Sequence, residues 1–300
     1  MTPLQRYIAE EIATDHADGL LSRREAMRRL ALLGLGTAAA SALIAACGND
    51  ENKTPASPSH ASIAPGPPPG MENAIETTPI TWDGLGGQLQ GAWAAAVQPR
   101  GAVLVIHENK GLTDWVRSVV GRLGGTGYSA LGIDLLSGQG GTAAFKDPAQ
   151  ATAELGKITP DQFVADLRSG IDELQRRTPG AKVAVVGFCF GGGLTWQLLA
   201  AGEPRLAAAV PFYGPLPDNH DFSGSKQAAV LAFYGAKDER VTSTKDAAAA
   251  ALSQAGMVSQ IVVEPEADHA FFNDTGQRYN GSAAADAWKQ LQAWLNTHLA

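Results

Sequence analysis

The chain has 300 residues, of which 45% are hydrophobic and 18% are charged, as in an ordinary globular protein. Its formal net charge of −7 leaves no excess of basic side chains to neutralise phosphates, which argues against nucleic-acid binding. The two cysteines, Cys47 and Cys189, lie in such different sequence surroundings that we expect no disulfide between them.

The first 46 residues have the layout of a bacterial export signal. Four arginines within residues 23–29 precede an uncharged run over residues 30–46, which is too short and too rich in Ala and Gly for a membrane span. Ser22 followed by two arginines resembles the twin-arginine class of signals, which carries folded proteins. We therefore predict export to the periplasm or cell envelope, with residues 1–20 as an N-terminal extension that could form a short amphipathic helix.

Cys47 ends the sequence Ile-Ala-Ala-Cys, which resembles a lipobox. In such a signal the cysteine is acylated and becomes the new N terminus, and two or more acyl chains anchor a protein stably at a membrane surface. The alternative is ordinary cleavage near the alanine-rich run, which would leave Cys47 as an unmodified thiol. We predict lipidation of Cys47, and hence a membrane surface as a partner.

Residues 47–72 are predicted to form a flexible tether. They are rich in Pro, Ser, Gly and Asn and have almost no large apolar side chains, so they cannot bury a core. Residues 73–300 then remain as one domain, within the usual size of a single α/β unit.

Within this domain, apolar runs of strand length alternate with helical patterns. Several of the runs are apolar on both faces, as in a parallel sheet that helices cover on each side. Helices are predicted after Pro160, over residues 194–201, and along the C-terminal apolar stripe of Trp288, Leu291, Leu295 and Leu299. The alternation predicts an α/β fold with a mostly parallel sheet. The seven predicted strands cover residues 89–95, 102–108, 129–136, 182–188, 206–214, 228–235 and 259–265.

Cys189 stands in the sequence GFCFG, which has the form Gly-x-nucleophile-x-Gly between a predicted strand and a predicted helix. The turn is so tight that side chains at the flanking positions would collide, so glycines are needed there. The thiol would project above the sheet at the start of a helix, whose dipole favours the thiolate. The alternatives are a buried structural cysteine or a glycine-rich turn that binds phosphate. We predict that Cys189 is a nucleophile.

An acid and a histidine follow this cysteine in the chain order of the α/β-hydrolase triad. Asp238 comes just after one predicted strand and His269 just after the next, and such strand ends share one edge of the sheet. His269 would polarise the thiol and Asp238 would fix the tautomer of the imidazole. Asp268 and Glu239 are rivals for the role of Asp238.

Four further residues are candidates for the same site. Glu108 ends a very apolar predicted strand, and beside a cysteine its carboxylate could hold or relay the thiol proton. The backbone N–H groups of Asn109 and Phe190 are the expected oxyanion donors. Tyr213 ends another predicted strand and could line the pocket, although packing is the more ordinary role for such a tyrosine.

The sequences IHENKGL, GFCFGGG, GAKDERV and DHAFFND together resemble the dienelactone hydrolase (carboxymethylenebutenolidase) family. The resemblance runs from about residue 77 to residue 298. It implies an α/β-hydrolase fold, Cys189 as nucleophile with His269 and Asp238, and Glu108 as the acid that interacts with the thiol before substrate binds. It also implies hydrolysis of a cyclic enol ester through an acyl-enzyme, without a metal or cofactor.

The sequence departs from this family at two positions. The best-known members bind a substrate carboxylate with two arginines, which would fall at Gly138 and Asn273. Arg278 is a candidate to replace them. We therefore expect a small-molecule ester or lactone substrate and do not predict dienelactone itself. An enzyme that cleaves thioesters or simple carboxylic esters with the same triad remains an alternative, as does a surface-anchored binding protein without turnover.

Overall fold

The computed structural model describes residues 1–48 and 67–300. Most of the predicted tether, residues 47–72, therefore lies outside the described residues. The chain forms two compact units: the described part of Met1–Pro65 together with Phe145–Ile158, and Gly66–Ala144 together with Thr159–Ala300. The segment Phe145–Ile158, which belongs to the predicted domain 73–300, thus groups with the N-terminal residues.

The smaller unit consists of helices α1 (Pro3–Ala17), α2 (Arg23–Leu32), α3 (Thr37–Gly48) and α5 (Pro148–Leu155). Thr2 caps α1 through a reciprocal pair of bonds with Gln5, and the hydroxyl of Ser22 accepts a bond from the Glu25 backbone N–H to cap α2. The uncharged run over residues 30–46 is divided between the end of α2 and α3. None of the described helices combines the length and the apolar character that crossing a membrane requires.

The larger unit is built on one sheet with the strand order β1-β2-β4-β3-β5-β6-β7-β8. Strands β1 and β2 form an antiparallel hairpin, β2 pairs antiparallel with β4, and all remaining pairs are parallel. The strands are β1 (Thr78–Gly84), β2 (Gly87–Ala94), β3 (Ala102–Ile106), β4 (Ser129–Asp134), β5 (Val183–Phe188), β6 (Leu206–Phe212), β7 (Ala229–Gly235) and β8 (Ser259–Glu264).

Helices cover the sheet because its central strands are apolar on both faces. Every residue of β3, β4, β5 and β7 is buried. The helices of this unit are α4 (Asp114–Gly125), α6 (Pro160–Arg177), α7 (Phe190–Ala200), α8 (Glu239–Thr242), α9 (Lys245–Gln254) and α10 (Gly281–Leu299). Helix α4 packs on β2 and β4, α6 on β1 and β3, α7 on β5 and β6, and α10 on β6 and β7. The predicted α/β fold with a mostly parallel sheet is confirmed.

Sequence and structure differ most at β1. Each of the seven predicted strands is present, and its ends differ from the prediction by at most two residues. No strand was predicted at β1. Its residues are mostly exposed and include Pro79, so it lacks the apolar run that marks the other strands; its pairing with β2 defines it instead. Helix α7 begins at Phe190 rather than at the predicted residue 194. Three consecutive glycines at its start have low helix propensity, and tertiary packing overrides that preference.

Candidate active site

Cys189 occupies a strained turn between β5 and α7. Its φ of 55° and ψ of −116° lie outside the regions that ordinary side chains prefer. The turn is fixed by a 3.0 Å bond from the Cys189 N–H to the Phe212 carbonyl. A Cβ on Gly187 would stand 2.1 Å from the Gly191 carbonyl oxygen, and one on Gly191 would stand 2.4 Å from that of Ile106. The flanking glycines are therefore needed for close backbone approach, as the sequence predicts.

The predicted site residues lie at the carboxyl ends of the parallel strands. Glu108 and Asn109 follow β3, Cys189 follows β5, Tyr213 follows β6, and Asp238 and His269 follow β7 and β8. Carboxyl ends of parallel strands meet at one edge of the sheet, where open α/β folds place their ligand sites. The sheet thus brings these groups to a common edge although they are distant in the sequence.

His269 and Asp238 form a buried pair. The Nδ1 atom of His269 lies 2.6 Å from Oδ2 of Asp238, and both residues are nearly excluded from solvent. Burial opposes protonation of the imidazole, but the charges of Asp238 and Cys189 outweigh burial and raise the pKa of His269 well above its usual value. A hydrogen bond with Cys189 acts in the same direction. Because Nδ1 is bonded to the carboxylate, Nε2 is the ring atom available to the sulfur.

Asp238 is distinguished from its rivals by this contact. Burial favours its neutral acid, yet the nearby His269 lowers the pKa of Asp238 below its usual value. Its other carboxylate oxygen accepts a bond from the Val241 N–H at 3.3 Å, at the start of α8. Asp268 instead accepts a bond from the backbone N–H of His269 at 2.6 Å, so it contacts the main chain of His269. Glu239 is the first residue of α8.

Tyr213 lies beside the histidine. Its ring stands 5.2 Å from that of His269 in an edge-to-face arrangement, and its φ of 38° is again a left-handed value for a residue with a side chain. Burial is the largest cause that raises the pKa of Tyr213 well above its usual value, and the charges of Glu108 and Cys189 add to it. Its hydroxyl therefore stays protonated.

Glu108 is held by Asn273. The Nδ2 group of Asn273 donates to Oε2 of Glu108 at 2.7 Å. The other end of the amide, Oδ1, accepts bonds from the N–H and the hydroxyl of Thr275 at 3.0 and 2.7 Å. Since Oδ1 is occupied by two donors, the amide can present only its N–H group to the carboxylate. In the sequence Asn273 is notable only as the position where an arginine is absent, and nothing there predicts this contact.

The segment that carries Asn273 is itself anchored to α4. Asp274 accepts a bond from the Trp115 indole N–H at 2.8 Å and pairs with the Arg122 guanidinium at 2.8 Å. Arg122 is almost fully buried, and burial makes the loss of such a partner costly. Asn273 therefore approaches Glu108 from a fixed backbone.

The remaining predicted groups differ in their surroundings. Asn109 is buried directly after Glu108, and Phe190 is the first residue of α7, where backbone N–H groups have no partner within the helix. Arg278 lies 3.6 Å from the carboxylate of Asp268. Gly138 is exposed, and a Cβ built there would meet open space.

Within the described residues of the larger unit taken alone, no three His, Cys, Asp or Glu side chains converge as metal ligands.

Comparison with known proteins identifies the family. The model of the dienelactone hydrolase family matches residues 89–299. Several relatives carry the name “Putative carboxymethylenebutenolidase”, among them the following two. The one from Methylorubrum extorquens is 33% identical over 213 residues, which are 67% of this chain and 73% of that protein. The one from Escherichia coli strain K12 is 30% identical over 212 residues, which are 67% of this chain and 78% of that protein.

A solved structure agrees with these sequence matches. The crystal structure of a dienelactone hydrolase-like promiscuous phosphotriesterase from metagenomic libraries is 26% identical, with a TM-score of 0.66. The match covers 75% of this chain and all of that one. The chain therefore belongs to the dienelactone hydrolase family and is a hydrolase of ester or lactone bonds.

Proposed function

We propose that the protein cleaves its ester or lactone with Cys189 as nucleophile, His269 as general acid and base, and Asp238 as the group that orients the imidazole. The observation that supports this most is the position of Cys189, at a left-handed turn next to a histidine that is bonded to a buried carboxylate. The charge of Cys189 raises the pKa of His269, and by the same interaction the imidazolium favours the thiolate.

The reaction would proceed in two halves. The Cys189 sulfur bonds to the carbonyl carbon, the carbon–oxygen bond to the leaving group breaks, and the leaving oxygen takes a proton from His269. Water then gives a proton to His269 and its oxygen bonds to the acyl carbon, while the carbon–sulfur bond breaks and Cys189 leaves as a thiolate. The backbone N–H groups of Asn109 and Phe190 would stabilise the oxyanion of both halves.

Glu108 is assigned the role of receiving or relaying the thiol proton before substrate binds. Its bond from Asn273 keeps the carboxylate oriented. Acid–base groups need a fixed position near the proton they move, and the bond from Asn273 restricts Glu108.

The substrate we propose is an ester or lactone that needs no carboxylate for recognition. Neither Gly138 nor Asn273 supplies a cation, and Arg278 is engaged by Asp268. Asn273 is committed to Glu108 and offers only a neutral amide. Tyr213 and Arg278 remain the candidate side chains for contacts with such an uncharged substrate. Neither a thioester substrate nor a non-catalytic binding role gains support from the comparisons.

We also propose export through the N-terminal signal and acylation of Cys47, which would place the protein at a membrane surface of the cell envelope. The paired arginines, the uncharged run and the lipobox-like sequence support this. The mass of the mature N terminus, measured after expression in a bacterial host, tests it. A diacylated Cys47 at position one is expected, and an unmodified start elsewhere would contradict lipidation.

Alkylation of Cys189 tests the proposed thiolate. An ordinary thiol has a pKa of about 8.5, so its iodoacetamide rate falls about tenfold per pH unit below that value. Because the raised pKa of His269 keeps the imidazolium beside the sulfur, we expect the Cys189 rate to change less than about threefold between about pH 8 and pH 6. Peptide mass spectrometry separates Cys189 from Cys47, and N-acetylcysteine provides the reference profile. A Cys189 profile that parallels the reference would contradict the ion pair.

A further inference from the structure

The loop between β3 and α4 carries two of the groups that the proposed function places at the reacting centre, Glu108 and the Asn109 N–H. Two backbone bonds within it form turns: the Gly111 N–H donates to the Glu108 carbonyl at 3.3 Å, and the Thr113 N–H donates to the Gly111 carbonyl at 2.9 Å. Bonds of this kind define a turn but do not fix its position relative to the sheet. Contacts from outside the loop fix that position.

One such contact comes from Thr142, which belongs to the segment after β4. The Leu112 N–H donates to the Thr142 hydroxyl oxygen at 2.8 Å. Leu112 is buried, so its amide has little access to water as a replacement partner. Loss of the Thr142 hydroxyl would leave this N–H unsatisfied unless the loop moved.

Asp134, the last residue of β4, fixes the orientation of that hydroxyl. Thr142 donates its hydroxyl proton to Oδ1 of Asp134 at 2.8 Å and its backbone N–H to Oδ2 at 2.7 Å. The Leu136 N–H donates to Oδ1 at 3.0 Å. Because the hydroxyl proton points to a buried carboxylate, a lone pair of the same oxygen remains for Leu112.

The close approach of the two segments depends on Gly111. Its φ is +87°, in the left-handed region, and a Cβ there would stand 2.2 Å from the Thr142 hydroxyl oxygen. Only glycine allows the loop to come this near without strain. The contact is thus built into the backbone of the loop as well as into Thr142.

His107 ties the other end of the loop to the same segment. Its Nε2 atom accepts a bond from the Leu135 N–H at 3.2 Å, so the proton is on Nδ1, which donates to the Glu108 carbonyl at 2.6 Å. Burial lowers the pKa of His107, which keeps this ring neutral. Glu108 and Asn109 therefore lie between two attachments to the segment after β4.

We propose that Thr142, oriented by Asp134, is a positioning residue that holds Glu108 and the Asn109 N–H at the catalytic edge. This proposal rests on the proposed function, because it assigns those two groups to the reaction. The Thr142 hydroxyl is hydrogen-bonded to Leu112 and Asp134, and not to the sulfur or the imidazole. Thr142 therefore acts through the Leu112 amide.

The test compares Thr142→Val, which has nearly the same shape but no hydroxyl, with Thr142→Ser, which keeps the hydroxyl. In the full chain, we expect the valine variant to lose about tenfold in kcat on an activated ester, with KM changed less than about threefold. Amide hydrogen exchange of residues 108–113 should accelerate about tenfold or more. The serine variant should stay within about threefold of wild type in kcat and in exchange.

Equal exchange in the valine variant and wild type would overturn the proposal, and so would a valine effect on KM alone. An equal loss in the serine variant would also overturn it, because the hydroxyl would not be the cause. Should the valine variant not fold, Thr142→Ala removes the same hydroxyl with a smaller side chain. A wild-type chain without esterase activity would contradict the proposed function, while the exchange comparison would still decide whether Thr142 anchors the loop.

Discussion

Replacing Cys189 with alanine is expected to reduce kcat on a small activated ester by at least about a thousandfold. Without the sulfur no acyl-enzyme forms, and only the oxyanion donors and binding contacts remain to assist attack by water. The substitution leaves the strained turn and its 3.0 Å bond to Phe212 in place, so we expect the thermal unfolding midpoint to shift by no more than a few degrees.

Cys47→Ala is the matched control for this experiment. It removes the other thiol of the chain, which lies in α3 of the smaller unit, and should leave kcat unchanged. Equal turnover by the Cys189→Ala variant and wild type would show that hydrolysis does not use this sulfur. Loss of activity in both single variants would point to a general requirement for thiols rather than to a nucleophile at one position.

The second large effect is expected at Asp238. Asp238→Asn should lower kcat by about a thousandfold, because an amide in place of the carboxylate allows the wrong imidazole tautomer and no longer stabilises the imidazolium. The negative charge of Asp238 raises the pKa of His269, so the substitution lowers that pKa. A smaller fraction of the rings is then charged, and iodoacetamide should alkylate Cys189 more slowly at about pH 6 than it does in wild type.

Asp268→Asn distinguishes this effect from a general loss of negative charge. Asp268 accepts a bond from the backbone N–H of His269 and lies near Arg278, whereas the imidazole Nδ1 is bonded to Asp238. We expect its substitution to change kcat by less than about fivefold. If the Asp268 variant lost as much activity as the Asp238 variant, the assignment of Asp238 as the orienting carboxylate would be wrong.

Much of the fold could be predicted because its physical causes are local. The central strands are apolar on both faces, and this pattern marks all of them in the sequence. The glycines around Cys189 are needed because any Cβ at Gly187 or Gly191 would overlap a carbonyl oxygen, so this motif has a direct geometric reason. Strand β1 could not be predicted in the same way, because pairing with β2 defines it and its exposed residues carry no apolar pattern.

The contacts that the sequence does not predict join residues that are distant along the chain. Asn273 and Glu108 are 165 positions apart, and Thr142 and Leu112 are 30 apart. An asparagine in a loop and a threonine after two glycines have many ordinary uses, so neither signals a partner. Chain order was informative for Asp238 and His269, since each follows a recognisable strand and strand ends converge at one edge.

The most direct test of the proposed mechanism is to locate the acyl group during turnover. The full chain is mixed with excess p-nitrophenyl acetate, quenched with acid within the first turnovers, digested and examined by peptide mass spectrometry. We expect one acetyl group on the peptide that contains Cys189, and none there in the Cys189→Ala variant. An acetyl group on another residue that disappears as fast as product forms, or turnover with no acylated Cys189 at any quench time, would contradict the proposed mechanism.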